Sequence, residues 1–93
     1  MKRQRKQVNK MYFKILKLTA LEAKTNKFNI LVSYKIPVAV FDKINHKWYR
    51  TSQKWSKTTT KHINEWARSY TDLPIQWEYL NQSYFDGIFE EVE

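Results

Sequence analysis

The chain has 93 residues, of which 42% are apolar and 16% aromatic, and its formal net charge at neutral pH is +8. This length suffices for one small domain, and the apolar content excludes the low-hydrophobicity composition of a disordered chain. The absence of cysteine excludes a disulfide framework and a thiolate metal site, which fits a cytoplasmic protein. We expect no targeting segment, because Lys10, Lys14 and Lys17 interrupt the apolar runs that follow the basic start. We also expect no membrane contact, since no stretch approaches the roughly 20 apolar residues that span a bilayer.

The charge is divided unevenly along the chain. Residues 1–61 contain sixteen of the seventeen Lys and Arg residues and two acids, a formal charge of +14. Residues 62–93 contain one Arg and seven acids, a formal charge of −6. This division predicts a basic surface that binds a polyanion, and a separate acidic end. The alternative is that the charge only keeps the protein soluble.

We expect a basic flexible tail over residues 1–7, one domain over residues 8–85 and an acidic C-terminal end over residues 86–93. Basic tails either follow a phosphate backbone or act only as solubilising ends, and the sequence leaves both roles open. The four cations of the tail are Lys2, Arg3, Arg5 and Lys6.

Residues 8–24 fit two secondary structures. Their apolar spacing and the segment 18–23 favour a helix, whereas residues 12–19 are rich in strand-forming side chains. We favour a strand over about 11–19, followed by a connection through 20–27.

The next segments predict three strands, the last two of which form an antiparallel hairpin. We expect the first strand over residues 28–34. Pro37 has no N–H, so we expect it at an edge, a bulge or a strand start. Residues 38–41 are apolar in succession, so we expect cover on both faces. Asn45 is the expected left-handed residue of the turn that leads into the returning strand at 48–51.

The second half of the chain predicts a helix over about 57–70. Ser56 has the side chain of an N-cap, and Ile63, Trp66, Ala67 and Tyr70 form one apolar stripe. Alternation over residues 75–80 predicts a further strand, and we expect the aromatic residues of 84–89 to dock on the domain. The fold class is therefore α+β: a small antiparallel sheet of three to four strands with one main helix packed on it.

Two segments resemble a family of small phage and mobile-element proteins of unknown function. The family pattern S-Y-x-T-P-V-A appears here over residues 33–39, with Ile36 at the position of the Thr, and the pattern S-x-T-T-x-K-H-I appears over residues 56–63. The resemblance implies a phage or prophage origin and a hairpin-to-helix core. It implies no activity.

The segment from the hairpin to the helix is the candidate site for phosphate. A helix N-terminus presents free N–H groups, and cations placed there oppose the helix dipole unless an anion is bound. The alternative is an ordinary helix start, and for His62 a structural hydrogen bond is the favoured role. The candidate anion-binding residues are Lys47, Arg50, Lys54, Lys57, Thr58, Thr59, Thr60, Lys61 and His62.

We expect no enzyme, no cofactor and no metal, because the sequence shows no nucleophile with a base and no Gly-rich phosphate loop. The main hypothesis is a small nucleic-acid-binding accessory protein that contacts DNA or RNA mainly through phosphate. The alternative is a phage-encoded inhibitor or adaptor that binds a host or defence protein, for example by occupying its nucleic-acid site. A third hypothesis is self-association of the basic body with the acidic end, and the oligomeric state is left open.

Overall fold

The computed structural model describes residues 11–91. They form six strands and two helices that alternate only in the second half of the chain. The elements are β1 (Tyr12–Lys17), β2 (Ala20–Lys24), β3 (Phe28–Ser33), β4 (Ile36–Asp42), β5 (Lys47–Thr51), α1 (Lys57–Arg68), β6 (Trp77–Leu80) and α2 (Gln82–Glu91). The basic tail expected over residues 1–7 lies outside the described residues.

The strands form one mixed sheet in the order in which they occur along the chain. The first five are antiparallel to their neighbours, and β6 pairs with β5 in parallel. A parallel pair needs a crossover, and the segment containing α1 provides it. The α+β class is confirmed, but the expectation of three to four strands in an antiparallel sheet is wrong.

The two helices cover opposite faces of this sheet. Successive residues of a strand point to opposite faces, so Ile30 and Val32 belong to the core that contains α2, whereas Leu31 belongs to the core that contains α1. On β4, Val38, Ala39 and Val40 are fully buried, which confirms that this strand is covered on both faces. The central strands therefore lie between two helical layers.

The segment predicted as a connection after β1 is largely strand β2. Ala-Leu-Glu-Ala-Lys has good helix propensity, but β2 pairs with β1 and β3 along its whole length. Ala23 is buried in the core beneath α2, and Glu22 is buried on the other face, in hydrogen-bond contact with α1. Packing on both faces outweighs the local preference, as is common in strands.

Pro37 lies beside a register shift between β3 and β4, where Leu31 pairs with Ala39 and Val32 with Pro37. The extra residue is Val38, so the proline lies at a bulge near the strand start, as expected. In the next turn the prediction for Asn45 is wrong: His46 is left-handed, with φ 56°. Asn45 instead donates its backbone N–H and its side-chain amide to the Asp42 carboxylate.

The two-residue turn between β3 and β4 consists of Tyr34 and Lys35, with φ values of 51° and 69°. Left-handed backbone at both positions is the geometry of a type I′ hairpin turn, which normally selects Asn-Gly. Neither residue here has that preference. The turn is held by the surrounding structure, including the hydrogen bond from the Tyr34 N–H to the Thr19 carbonyl at 2.9 Å.

Helix α1 confirms the predicted helix and ends two residues earlier, at Arg68. Helix α2 was not expected, and it crosses the predicted boundary at residue 86 between domain and acidic end. Phe85 and Ile88 of α2 are both buried in the core beneath it. The start of the acidic segment is therefore part of the fold.

Strand β1 is an outer strand of the sheet and exposes apolar side chains. Within the described chain it pairs only with β2. Tyr12, Phe13 and Ile15 of this strand are more than half exposed, as is Leu18 in the turn that follows it. Neither α1 nor α2 is long and apolar enough to cross a membrane.

Candidate nucleic-acid interface

An open cleft of about 610 Å³ lies where β5 ends and α1 begins. Arg50 and Tyr79 line it from the adjacent strands β5 and β6, and Lys54 and Lys57 line it from the connecting segment and the first residue of α1. No Asp or Glu of the described chain is among the lining residues. The cleft therefore combines three cations with no acid among its walls.

Arg50 lies between two aromatic rings. Its guanidinium carbon is 5.2 Å from the centroid of the Trp77 ring and 5.4 Å from that of the Tyr79 ring, a separation at which a cation is attracted to the ring face. The Nε of Arg50 is buried, and no hydrogen-bond partner for it exists in the described structure. These contacts fix the side chain and leave a buried donor unsatisfied.

Lys54 and Lys57 are exposed, and neither takes part in any of the four ion pairs found among residues 11–91. Ser56 caps α1 by accepting from the Thr59 N–H at 3.1 Å, which confirms the predicted N-cap. The first turn of α1 contains no acid, although an acid is the side chain that the helix dipole favours there. Positive charge at this helix start is therefore not compensated by the described neighbours.

Two of the predicted lysines are compensated elsewhere. Lys47 lies at the other end of β5 and pairs with Glu78 at 3.2 Å, and this hydrogen bond raises the pKa of Lys47 above its ordinary value. Lys61 lies 4.0 Å from the Glu65 carboxylate, which also pairs with Lys17. The sequence grouped these lysines with the cleft, but the structure does not bring Lys47 to it.

The predicted threonines divide between surface and interior. Thr60 is exposed and lines the cleft, and Thr58 is exposed beside it, in a neighbouring depression with Tyr34 and Trp55. Thr59 is buried, with its hydroxyl 3.0 Å from the Ser33 hydroxyl. Thr59 is thus engaged in an internal contact, although it also contributes to the lining of the cleft.

His62 is also internal. It is buried, and its Nδ1 lies 2.9 Å from the Ser33 Oγ, so that Ser33 joins Thr59 and His62 across the sheet–helix boundary. Burial, followed by the nearby Lys17 ammonium, lowers the pKa of His62 below its ordinary value. His62 therefore makes the structural hydrogen bond that was favoured for it.

This contact explains how the two sequence patterns fit together. Ser33 begins the first pattern, and Thr59 and His62 belong to the second. The three side chains form one buried hydrogen-bonded group that ties the end of β3 to the first turns of α1. The two patterns thus account for a structural contact between β3 and α1, here called the joint between β3 and α1, at least as much as for a ligand site.

A second buried polar group lies between β2 and the far end of α1. Glu22 is 1% exposed, and its carboxylate accepts from the Trp66 indole N–H at 2.7 Å and from the Tyr70 hydroxyl. Lys24 lies 3.9 Å from the same carboxylate. Burial, together with the hydrogen bond to Glu22, raises the pKa of Tyr70 above its ordinary range.

A family model described as a family of unknown function (DUF8033) matches residues 3–84. The chain belongs to the DUF8033 family. No curated protein and no solved structure matches it. Since the function of DUF8033 is unknown, membership leaves the role of the cleft to be argued from its residues.

In this DUF8033 chain, sequence reasoning missed Tyr79 as a residue of the site. Tyr79 was assigned only to an alternating strand, yet it is 60% exposed and pairs with Arg50 across β5 and β6. The alternating pattern indicates that residues 75, 77 and 79 lie on one face of a strand. It does not indicate that this strand, β6, pairs with β5. Within residues 11–91, no three His, Cys, Asp or Glu side chains are grouped closely enough to hold a metal ion.

Proposed function

We propose that the chain is a small accessory protein of phage or mobile-element origin that binds nucleic acid mainly through phosphate. The observation that supports this function best is the cleft that Arg50, Lys54 and Lys57 line together, with no Asp or Glu of the described chain among its lining residues. Phosphate is an anion that fits such a site, because guanidinium and ammonium groups bind it with charge-assisted hydrogen bonds. The origin rests on the resemblance of the two sequence patterns.

Polar side chains of the first turns of α1 extend this surface, among them Lys61, whose ammonium lies 4.0 Å from the Glu65 carboxylate. Thr58, Thr60 and Lys61 are exposed on the first turns of α1, where free backbone N–H groups favour a bound anion. The net charge of +8 accelerates encounter with any polyanion. The tail cations Lys2, Arg3, Arg5 and Lys6 are proposed to strengthen binding without defining the site.

The test is fluorescence anisotropy with labelled DNA and RNA oligonucleotides at low salt. We expect the double variant Lys54→Ala/Lys57→Ala to bind about tenfold more weakly, which corresponds to about 1.4 kcal/mol. The matched control is Lys14→Ala/Lys27→Ala, which removes the same charge from β1 and from the β2–β3 turn, away from the cleft. Absence of binding to every oligonucleotide contradicts the proposal, as does an equal loss in both double variants.

A second candidate function is an inhibitor or adaptor that binds a host protein. The observation that favours it is the apolar surface of β1 and the turn that follows it, where Phe13, Ile15 and Leu18 are 58%, 79% and 101% exposed. Exposed apolar patches often mark protein interfaces. A pull-down from host lysate, repeated after nuclease treatment, separates the two functions: one stoichiometric protein is retained by an inhibitor, and all partners are lost from a nucleic-acid-binding protein.

A further inference from the structure

We propose that the cleft binds an unpaired base on Tyr79, so that the chain prefers single-stranded nucleic acid to a duplex. The inference rests on the proposed phosphate contacts of the same cleft and specifies the class of ligand. It is supported by two aromatic side chains, Tyr79 and Trp55, which line the cleft together with its cations. This observation is independent of the start of helix α1.

Tyr79 has the exposure that a stacking residue needs. Its side chain is 60% accessible, and β6 is an outer strand of the sheet, so no further strand of the described chain covers that side. Arg50 lies within cation–π distance of the ring and limits its movement. A base that stacks on the ring is therefore close to a guanidinium that can bind its phosphate.

Trp55 provides a second aromatic surface on the wall of the cleft. It is 41% exposed, and its indole N–H donates to the Gln82 Oε1 at 3.1 Å. Gln82 in turn donates to the Pro37 carbonyl at 2.6 Å and to Asp86 at 3.1 Å. The indole is held in place before any ligand arrives, which lowers the entropy cost of stacking.

Cations and partly exposed aromatics together fit a single strand better than a duplex. In a duplex the base faces are already stacked, and only the phosphates are available to Lys54 and Lys57. In a single strand each base has a free face, and stacking on an aromatic side chain stabilises the complex without reading the sequence.

The experiment compares a labelled single strand of 12 nucleotides with the duplex of the same length, at one salt concentration, by fluorescence anisotropy. We expect the single strand to bind more tightly and Tyr79→Leu to reduce its affinity about tenfold while leaving duplex affinity unchanged. Tyr79→Phe retains the ring and is expected to retain single-strand binding.

The matched control is Tyr12→Leu, since Tyr12 is an equally exposed tyrosine on the opposite outer strand, and it is expected to change neither affinity. Thermal unfolding of each variant shows that the fold is intact. Equal affinities for single strand and duplex, with no effect of Tyr79→Leu, overturn this inference and leave the phosphate proposal standing. Absence of binding to both overturns the two together.

Discussion

His62 shows how a side chain that looks suited to a ligand becomes part of the interior. Its sequence position beside Lys61 suggested an anion contact, but burial and the Ser33 hydroxyl at 2.9 Å place it within the fold. A neutral imidazole accepts a hydrogen bond at one ring nitrogen, whereas an imidazolium only donates. The protonation of His62 is thus linked to the stability of the joint between β3 and α1.

We expect the stability of the fold to fall as the pH decreases from 7 to 5. The pKa of His62 is lowered by burial, then by Lys17 and Lys61, against an opposing effect of Glu65. The unfolded chain therefore binds the proton first, so this contribution is fully present above about pH 6.5 and is lost below it. Urea unfolding at several pH values measures the effect.

The control for this prediction is the other histidine. His46→Gln, in an exposed turn, should keep the full decrease in unfolding midpoint between pH 7 and 5, and His62→Asn should reduce it. An unchanged pH dependence in His62→Asn would show that another group is responsible.

Glu22 is a buried acid, and its hydrogen-bond partners offset the free-energy cost of burying its charge. The carboxylate accepts from Trp66 and Tyr70 and lies near Lys24, which satisfies the rule that buried charges are paired. These partners reach it only because β2 passes beneath α1.

We expect Glu22→Gln to reduce the free energy of unfolding by about 1.5–3 kcal/mol, the value of a buried hydrogen bond to a charged group. The control is Glu78→Gln, which breaks the exposed pair with Lys47 and should change stability by less than about 1 kcal/mol. Chemical denaturation monitored by tryptophan fluorescence compares the two, and equal effects would contradict the assigned role of Glu22.

At the scale of elements, the sequence was sufficient to predict a helix or strand where its local pattern agrees with the tertiary structure. The Ser56 cap and the stripe of Ile63, Trp66 and Ala67 identified α1, and the successive apolar residues identified β4. Strand β2 was missed because its helix-forming residues are held by pairing on both sides.

Helix α2 was missed for a different physical reason. Its buried side chains Phe85 and Ile88 are only three residues apart in a short segment with a single glycine. Such a pattern does not distinguish a helix from an irregular docking segment. Its register follows from the core beneath it, which the sequence alone does not describe.

The cleft could be predicted only in part. The sequence identifies the cations, but which residues surround them depends on the pairing of β5 with β6.

The turn between β3 and β4 allows a stabilising substitution. Lys35 has φ 69°, a conformation that costs an L-residue about 1–2 kcal/mol and glycine almost nothing. Because glycine also gains entropy in the unfolded chain, we expect a net stabilisation of roughly 0.5–1 kcal/mol for Lys35→Gly. Thermal and urea unfolding measure it.

Lys27→Gly is the comparison for this substitution. Lys27 is an exposed turn lysine that is not among the residues of positive φ, so glycine there only increases the freedom of the unfolded chain and should destabilise the fold. The same sign of change in both variants would contradict the explanation from backbone conformation.

At the scale of the whole molecule, the decisive property is which positive charges are already compensated. Lys17, Lys47 and Lys61 lie near carboxylates of the same chain, whereas Arg50, Lys54 and Lys57 are not part of any ion pair between described residues. The net charge alone does not reveal this difference.

We expect the logarithm of the binding constant to fall linearly with the logarithm of salt concentration. Each phosphate contact contributes about 0.7 to the slope on a single strand, so Lys54→Ala/Lys57→Ala should reduce the slope by about 1.4. Lys47→Ala should leave it nearly unchanged, because Glu78 already pairs with that ammonium. Equal slopes in the wild type and the double variant would exclude both lysines from phosphate contact.

We expect contacts made by strand β1 to depend on ionic strength in the opposite direction. Its exposed apolar side chains, and an outer backbone that no other described strand pairs with, can contact another copy of the chain. Mutual repulsion between molecules of net charge +8 opposes that contact. Concentrated salt screens this repulsion. We therefore expect that the concentrated salt that weakens the proposed polyanion binding also favours association of the chain with itself.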